Sequence, residues 1–171
     1  MQIRPGTVAD VPAIARVYVD SWKATYEGLM PEVFLKGMTD EAALKIFTES
    51  FQSNTHSYRT LVAETPEGRL VGFTDYGQER SHPETGWGEI YGLYLLKDFQ
   101  KQGTGTQLFN LAMEDLSRSG LTSVIVWVLD KSPYRRFYEK SGGKLKDMVK
   151  KLGPPGNQIH LVPYIWNNTG P

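Results

Sequence analysis

The chain has 171 residues, 40% apolar and 22% charged, with 19 basic and 19 acidic side chains and a formal net charge of zero. That length suits one domain with a sizeable core, and the balanced charge leaves no basic field to recruit nucleic acid. No apolar run approaches the roughly 18 residues of a membrane span, and the absence of cysteine excludes disulfides, thiolate metal sites and a cysteine nucleophile.

Residues 1–20 lack the charged-then-apolar profile of a secretory leader, so a cytoplasmic protein is expected. His56, His82 and His160 are scattered without ligand spacing, and no metal is expected. Gln2 to Arg4 reads as a short first strand. Asp10 is placed to cap a helix with Pro12 in its first turn, and Val11, Ile14, Ala15, Tyr18 and Trp22 fall on one helical face. Gly28 and Pro31 end that helix and open a short second one through Phe34 and Leu35. Thr39-Asp40 starts a third, with Ala43, Ile46, Phe47 and Phe51 along one side.

A hairpin follows: Tyr58 to Glu64, a Thr65-Pro66-Glu67-Gly68 turn, and Leu70 to Gly77. Residues 78–87 are polar loop, with Glu79 and Glu84 available to attract a cation and Trp87 available to wall a pocket. Glu89 to Leu96 is apolar and aromatic, a buried or half-buried strand. Gln100-Lys101-Gln102-Gly103-Thr104-Gly105 then opens a helix whose apolar residues recur at Leu108, Phe109, Leu111, Ala112 and Leu116. Gly120 closes that helix. Leu121 to Leu129 is the most strand-like run, rich in β-branched residues. Ser132 and Pro133 start a short helix that Gly142-Gly143 ends. Lys144 to Lys150 and Gln158 to Trp166 read as two last strands around a Gly153-Pro154-Pro155-Gly156 loop. Pro163 lacks a ladder donor, which puts the final strand at an edge or makes it bulge there. The pattern is a mixed α/β fold of about seven strands.

The junction at 88–107 carries the chemistry. A helix start leaves N–H groups unpartnered and partly positive, and glycine lets a ligand approach the backbone, so the junction suits a phosphate or pyrophosphate. Gly103 and Gly105 alone are equally compatible with a tight strand–helix turn. A dinucleotide fingerprint would need a third glycine where Leu108 stands, and the chain contains no Gly-Lys-Ser/Thr phosphate loop.

Gln100-x-x-Gly103-x-Gly105 after Leu93-Tyr94-Leu95 resembles the acetyl-CoA signature of the GCN5-related N-acetyltransferases, Gln/Arg-x-x-Gly-x-Gly/Ala. Ser132-Pro133-Tyr134-Arg135-Arg136-Phe137-Tyr138-Glu139-Lys140-Ser141-Gly142-Gly143 resembles the family's Asn-Pro-x-Arg-Arg-Phe-Tyr-Glu-Lys-x-Gly run, and Ser21 to Pro31 is similar to bacterial members. The resemblance covers nearly the whole chain in the right order. It implies a single N-acetyltransferase domain over residues 1–171, with a central sheet splayed between the strands at 89–95 and 121–129. It also implies acetyl-CoA as co-substrate and a small-molecule or peptide amine as acceptor, with room for a homodimer.

By that resemblance the backbone of Gln100, Lys101, Gln102, Gly103, Thr104, Gly105 and Thr106 holds the pyrophosphate. Leu93, Tyr94 and Leu95 pair with the pantetheine arm. Ser132, in the usual asparagine position, and Arg136 complete the cofactor contacts, and Lys101 replaces a frequent glycine; from its residues alone Arg136 is equally a solvated helix face. Tyr138 is implied as the general acid for the leaving thiolate, whose basicity a phenol matches; from its residues alone it is also a packing tyrosine on an amphipathic helix. Glu89 is the candidate general base, directly or through water, on one side with Tyr91 and Leu93 if the strand is regular; from its residues alone it is also a solvent-facing strand end. A bulge marked by Gly92 would instead aim Tyr91 or Tyr94 at the site. Trp22 and Tyr26, one helical turn apart, either wall the acceptor pocket or pack on the sheet. A non-catalytic acyl-CoA module, a protein N-terminal acetyltransferase and an unrelated nucleotide-binding domain are the competing readings.

Overall fold

The computed structural model describes residues 1–53, 57–82, 85–121 and 123–167; His56 and Glu84 lie outside them. Strands β1 (Gln2–Pro5), β2 (Arg59–Glu64), β3 (Leu70–Gln78), β4 (Gly88–Leu95), β5 (Val124–Leu129), β6 (Lys144–Leu145), β7 (Lys150–Leu152) and β8 (Ile159–Trp166) form one sheet. Its order is β1-β2-β3-β4-β5-β8-β6, with β7 also on β8. Five α-helices accompany it: α1 (Val11–Tyr26), α2 (Glu32–Gly37), α3 (Asp40–Gln52), α4 (Thr104–Arg118) and α5 (Arg135–Lys140).

Amphipathic faces decide the layers. Val11, Ile14 and Ala15 of α1 with Ala43 and Phe47 of α3 pack against Val62 and Phe73 on one side of the sheet. Phe109, Ala112 and Leu116 of α4 pack on Ile90, Val124 and Val126. Full burial of such side chains contributes about 1.5–3 kcal/mol each. Thr39 caps α3, accepting from the Ala42 N–H at 3.2 Å. Asp10 precedes α1 but its carboxylate goes elsewhere, to Arg4 at 2.8 Å on both oxygens and to Thr7.

Every adjacent pair is antiparallel except β4–β5. That parallel pair is in register only at Gly88↔Val124 and Glu89↔Ile125. Beyond Glu89 the two strands part, so the edge of β4 that faces β5 has no strand partner over its second half. This is the splay the family resemblance implies.

Two expectations change. The strand expected over 144–150 is two short strands, making eight strands rather than seven. Pro163 explains the break. β8 is flanked on both sides rather than lying at an edge: Pro163 sits opposite Trp127 of β5, and its carbonyl accepts from Lys146 N–H at 3.2 Å on the other side. With no N–H of its own to return, the ladder with β6 lapses there and pairing resumes only at Lys150↔Leu161.

Candidate functional site

The strand β4 carries a bulge. Asp75 pairs with Gly92 and Tyr76 with Ile90, which leaves Tyr91 as the extra residue. Ile90 faces α4 among Phe109 and Leu116, and Leu93 lies on the same side, 3.7 Å from where a Cβ on Gly105 would stand. Tyr91, Gly92 and Tyr94 line a cavity on the opposite side. Glu89 and Leu93 therefore do not share a face, as a regular strand would require, and it is Tyr91 and Tyr94 that turn toward the cavity.

At the far end of β4, Lys97–Phe99 makes a 3-10 turn and the chain enters α4. Gly103 precedes the helix with φ +86°, and a side chain there would meet nothing within 4 Å. Lys101 holds φ +60°, the left-handed region that costs an L-residue about 1–2 kcal/mol; this is the physical reason a glycine suits that position. Gly105 is different. A Cβ there would make an ordinary contact with Leu93, so the fold itself does not demand glycine at 105. A backbone bare of side chains at 103 and 105, at the end of a helix with free N–H groups, fits a pyrophosphate. Thr104 is buried and Thr106 exposed. Gln102 donates to Asp98 O at 3.0 Å.

Gln100 has a structural task here. Its Nε2 donates to Leu95 O at 3.0 Å, and its Oε1 accepts from the Tyr134 hydroxyl at 3.0 Å. Tyr134 follows β5, so this pair clasps the two strands at the open end of the splay. Helix α5 begins at Arg135 rather than at Pro133. Ser132 Oγ instead accepts from Tyr134 N–H at 3.2 Å. Arg135 is spent internally on Tyr164 Oη and Asp130 O, both at 3.0 Å, while Arg136 extends to solvent.

Tyr138 is buried, stacked on Tyr164 at 6.0 Å and edge-on to Phe137 at 5.2 Å. Burial pushes its phenol well above the ordinary range, and nearby Tyr26 of α1 adds to the push. The ring packs on the α4 side, beside Phe109, Tyr164 and Trp166. Trp22 and Tyr26 meet edge to face at 5.1 Å, and burial raises Tyr26 to about 12.

Glu89 is 3% exposed and fully engaged. Arg80 grips both carboxylate oxygens, Nη2 to Oε1 at 2.6 Å and Nε to Oε2 at 3.1 Å, and its backbone N–H adds a third bond. Arg80 also lies 4.2 Å over the Tyr91 ring. Glu79, expected to attract a cation, is occupied too: burial alone would raise its pKa, but the Ser81 and His82 backbone N–H groups outweigh that and hold it below the usual range.

Asp75 is a member of the site that sequence reasoning missed. It lies in the middle of β3, lines the same cavity of about 520 Å³, and Thr60 Oγ1 donates to its Oδ1 at 2.6 Å. Burial raises it to about 7 against the opposing pulls of Thr60, Tyr58 and Arg80. The available signal was a charged residue inside Phe73-Thr74-Asp75-Tyr76, with glycine opposite it rather than a basic partner.

Comparison with known proteins decides the family. The family model described as Acetyltransferase (GNAT) family matches residues 13–143. The chain belongs to the GNAT acetyltransferases. The uncharacterised N-acetyltransferase YuaI of Bacillus subtilis (strain 168) is 34% identical over 137 residues, covering 80% of this chain and 76% of that protein. Among solved structures, the PaiA N-acetyltransferase of Thermoplasma acidophilum, a complex with coenzyme A, superposes with TM-score 0.72 at 22% identity, over 97% of this chain and 98% of its own. A GCN5-related N-acetyltransferase of Rhodopseudomonas palustris gives TM-score 0.76 at 20% identity, over 97% and 94%. The GNAT chain is thus an N-acetyltransferase on a splayed mixed sheet. None of its described helices is long and apolar enough to cross a membrane, and the described residues hold no group of three or more His, Asp or Glu that could hold a metal.

Proposed function

We propose that the chain transfers the acetyl group of acetyl-CoA to a primary amine, on a small molecule or a peptide, by direct attack and without an acyl-enzyme. The carrying observation is the unpartnered second half of β4, which opens onto the glycine-bare start of α4. In this reading the backbone from Gln100 to Thr106 takes the pyrophosphate, with the Lys101 ammonium beside it. Leu93, Tyr94 and Leu95 offer peptide groups to the pantetheine as a neighbouring strand would. Ser132 and Arg136 reach the cofactor from the β5 side, and Gln100 and Tyr134 part to admit it.

The co-substrate supplies an activated acetyl group. The protein's own tasks are to align the amine with it, to take the ammonium proton, and to return a proton to the departing thiolate. Alignment is the largest share, because holding two reactants in attack geometry replaces a bimolecular encounter. Tyr138 Oη gives the proton: its raised pKa keeps the phenol protonated at neutral pH, and a general acid of this kind contributes about 10²–10⁴-fold. Glu89 takes the amine's proton only when Arg80 swings off its carboxylate, a motion open to a guanidinium that is 62% exposed. The cysteine-free chain fits a cytoplasmic setting, and Trp22 and Tyr26 wall the acceptor's approach from α1.

The test is acetyl-CoA titration by calorimetry with the wild type and Gly105→Glu. Binding by the wild type and none by the variant supports the reading, because a carboxylate at 105 fills and repels the pyrophosphate position. Equal binding by both removes this cofactor site.

A further inference from the structure

On the α1–α3 side of β3 and β4, the cavity of about 520 Å³ has an aromatic wall and a buried carboxyl, Asp75. Its charged lining groups are Asp75, Glu79 and Arg80. Arg80 is spent on Glu89, and Glu79 on loop N–H groups. Of these three, Asp75 makes no direct ion pair among the described residues. Oδ1 accepts from Thr60, and the Tyr58 hydroxyl pulls on the same carboxyl. Asp75 is only 6% exposed, so the ion, when formed, has little water to solvate it. The Tyr58 hydroxyl is buried and, among the described residues, reaches no partner in full hydrogen-bond geometry. A buried carboxyl beside a buried hydroxyl that falls short of full hydrogen-bond geometry is costly unless something else completes the pair.

The walls say what completes it. Tyr58 and Tyr91 stack in parallel at 6.0 Å, and Tyr18 meets Tyr94 edge-on at 4.8 Å and Phe47 at 5.3 Å. Aromatic faces around a carboxylate attract organic cations, and Arg80 over Tyr91 shows this wall already holding one. Gly92, opposite Asp75, places this floor directly beside the bulge of β4.

We propose that this cavity is an ammonium site, with Asp75 as the counter-ion of a primary organic amine lying between the tyrosines. That the bound amine is the acetyl acceptor rests on the acetyl-transfer reading; that the cavity takes an ammonium does not. Acceptors with a carboxylate next to the amine are disfavoured here, because Asp75 repels them and Arg80 is already neutralised.

The pH behaviour supplies the test. The groups facing Asp75 are Thr60 and Tyr58 of the β2 side, Tyr18 of α1, Arg80 and Glu79 after β3, and Tyr91 and Tyr94 of β4. The phenols stay neutral below about pH 9, so the titration belongs to Asp75.

Benzylamine is titrated by calorimetry, in two buffers of different ionisation enthalpy. At about pH 6, where Asp75 is mostly protonated, entry of an ammonium releases close to one proton per site, and affinity is roughly tenfold higher at about pH 8. Asp75→Asn loses at least tenfold in affinity and all of the proton release, and benzyl alcohol gives no proton release. Thr60→Val provides a second variant that keeps the carboxylate: losing the Thr60 bond moves the midpoint of the pH dependence upward. Absence of saturable benzylamine binding by the wild type overturns the proposal. So does equal binding by Asp75→Asn, or binding without proton release. Acetyl-CoA is titrated in parallel: its failure to bind, with benzylamine still bound and releasing a proton, would sink acetyl transfer and leave the ammonium site standing.

Discussion

Asp75→Asn should stabilise the empty protein at alkaline pH and leave it nearly unchanged in acid. Folding moves this carboxyl from an ordinary 3.8 to about 7 by burial, so the folded state holds the proton about 4 kcal/mol more tightly than the unfolded chain. The sign follows from which state binds more protons. Below about pH 4 both states are protonated and Asp75 carries no penalty; between about pH 4 and 7 the unfolded chain ionises while the folded one does not, and stability drains away; above about 7 the full penalty stands. Asparagine keeps the acceptor that Thr60 uses at 2.6 Å, presents its amide to the Tyr58 hydroxyl, and never ionises. For a chain of this length, about 4 kcal/mol corresponds to a rise in Tm on the order of 10 °C. Thermal melts of wild type and variant from about pH 4 to pH 9 should therefore coincide at the acid end, separate between about pH 4 and 7, and keep a constant gap above. A gap that does not open between about pH 4 and 7, or a variant less stable at alkaline pH, would refute the assignment of a neutral, buried Asp75.

Three further predictions concern the neighbouring residues. Tyr138→Phe keeps the ring contacts with Tyr164 and Phe137 and removes the proton donor, so kcat should fall about 10²-fold or more with acetyl-CoA affinity unchanged; a matching loss of affinity would point to packing instead. Lys101→Gly relieves φ +60° and should raise stability by about 1 kcal/mol, seen as a higher melting temperature, while weakening acetyl-CoA through the lost charge. Arg80→Ala strands a carboxylate that is 3% exposed and should cost about 3 kcal/mol in denaturant unfolding; a rise in turnover in the same variant would show that Glu89 is the base once freed.

What could be read from the sequence was local. Gln100 to Gly105 and the apolar spacing of Leu108, Phe109, Ala112 and Leu116 announce a phosphate-type helix start, because glycine content and a 3.6-residue period are properties of consecutive residues. Thr39 as a cap and Gly68 in its turn are of the same kind. The splay was legible only through the family motifs. Asp75 was missed because residues 70–77 of β3 are buried on both faces, so alternation, the usual guide to facing, is absent there. The lock of Arg80 on Glu89 spans nine residues and a loop, and nothing in either residue's neighbourhood announces it. The break between β6 and β7 was caused by Pro163, which is distant in sequence from the strand it interrupts.

The bulge at Tyr91 ties these observations together. Ile90, Leu93 and Leu95 belong to the α4 side, and Tyr91, Gly92 and Tyr94 to the cavity side. Two consecutive residues, Tyr91 and Gly92, thus share a face, and every residue beyond them is displaced by one step from a regular alternation. Without that extra residue Leu93 would enter the tyrosine-lined cavity and Tyr94 would press into the core around Leu108, where a phenol hydroxyl has no partner. With it, one strand offers small apolar side chains to the helix whose N-terminus is proposed to hold a pyrophosphate, and an aromatic floor to a cavity proposed to hold an ammonium. A thioester lying along the free edge of β4 would then have its nucleophile delivered from the opposite face of the same strand. Glycine at 92, opposite Asp75, is required by the same floor: a side chain there would run into the Tyr94 ring, 2.5 Å from the Cβ position.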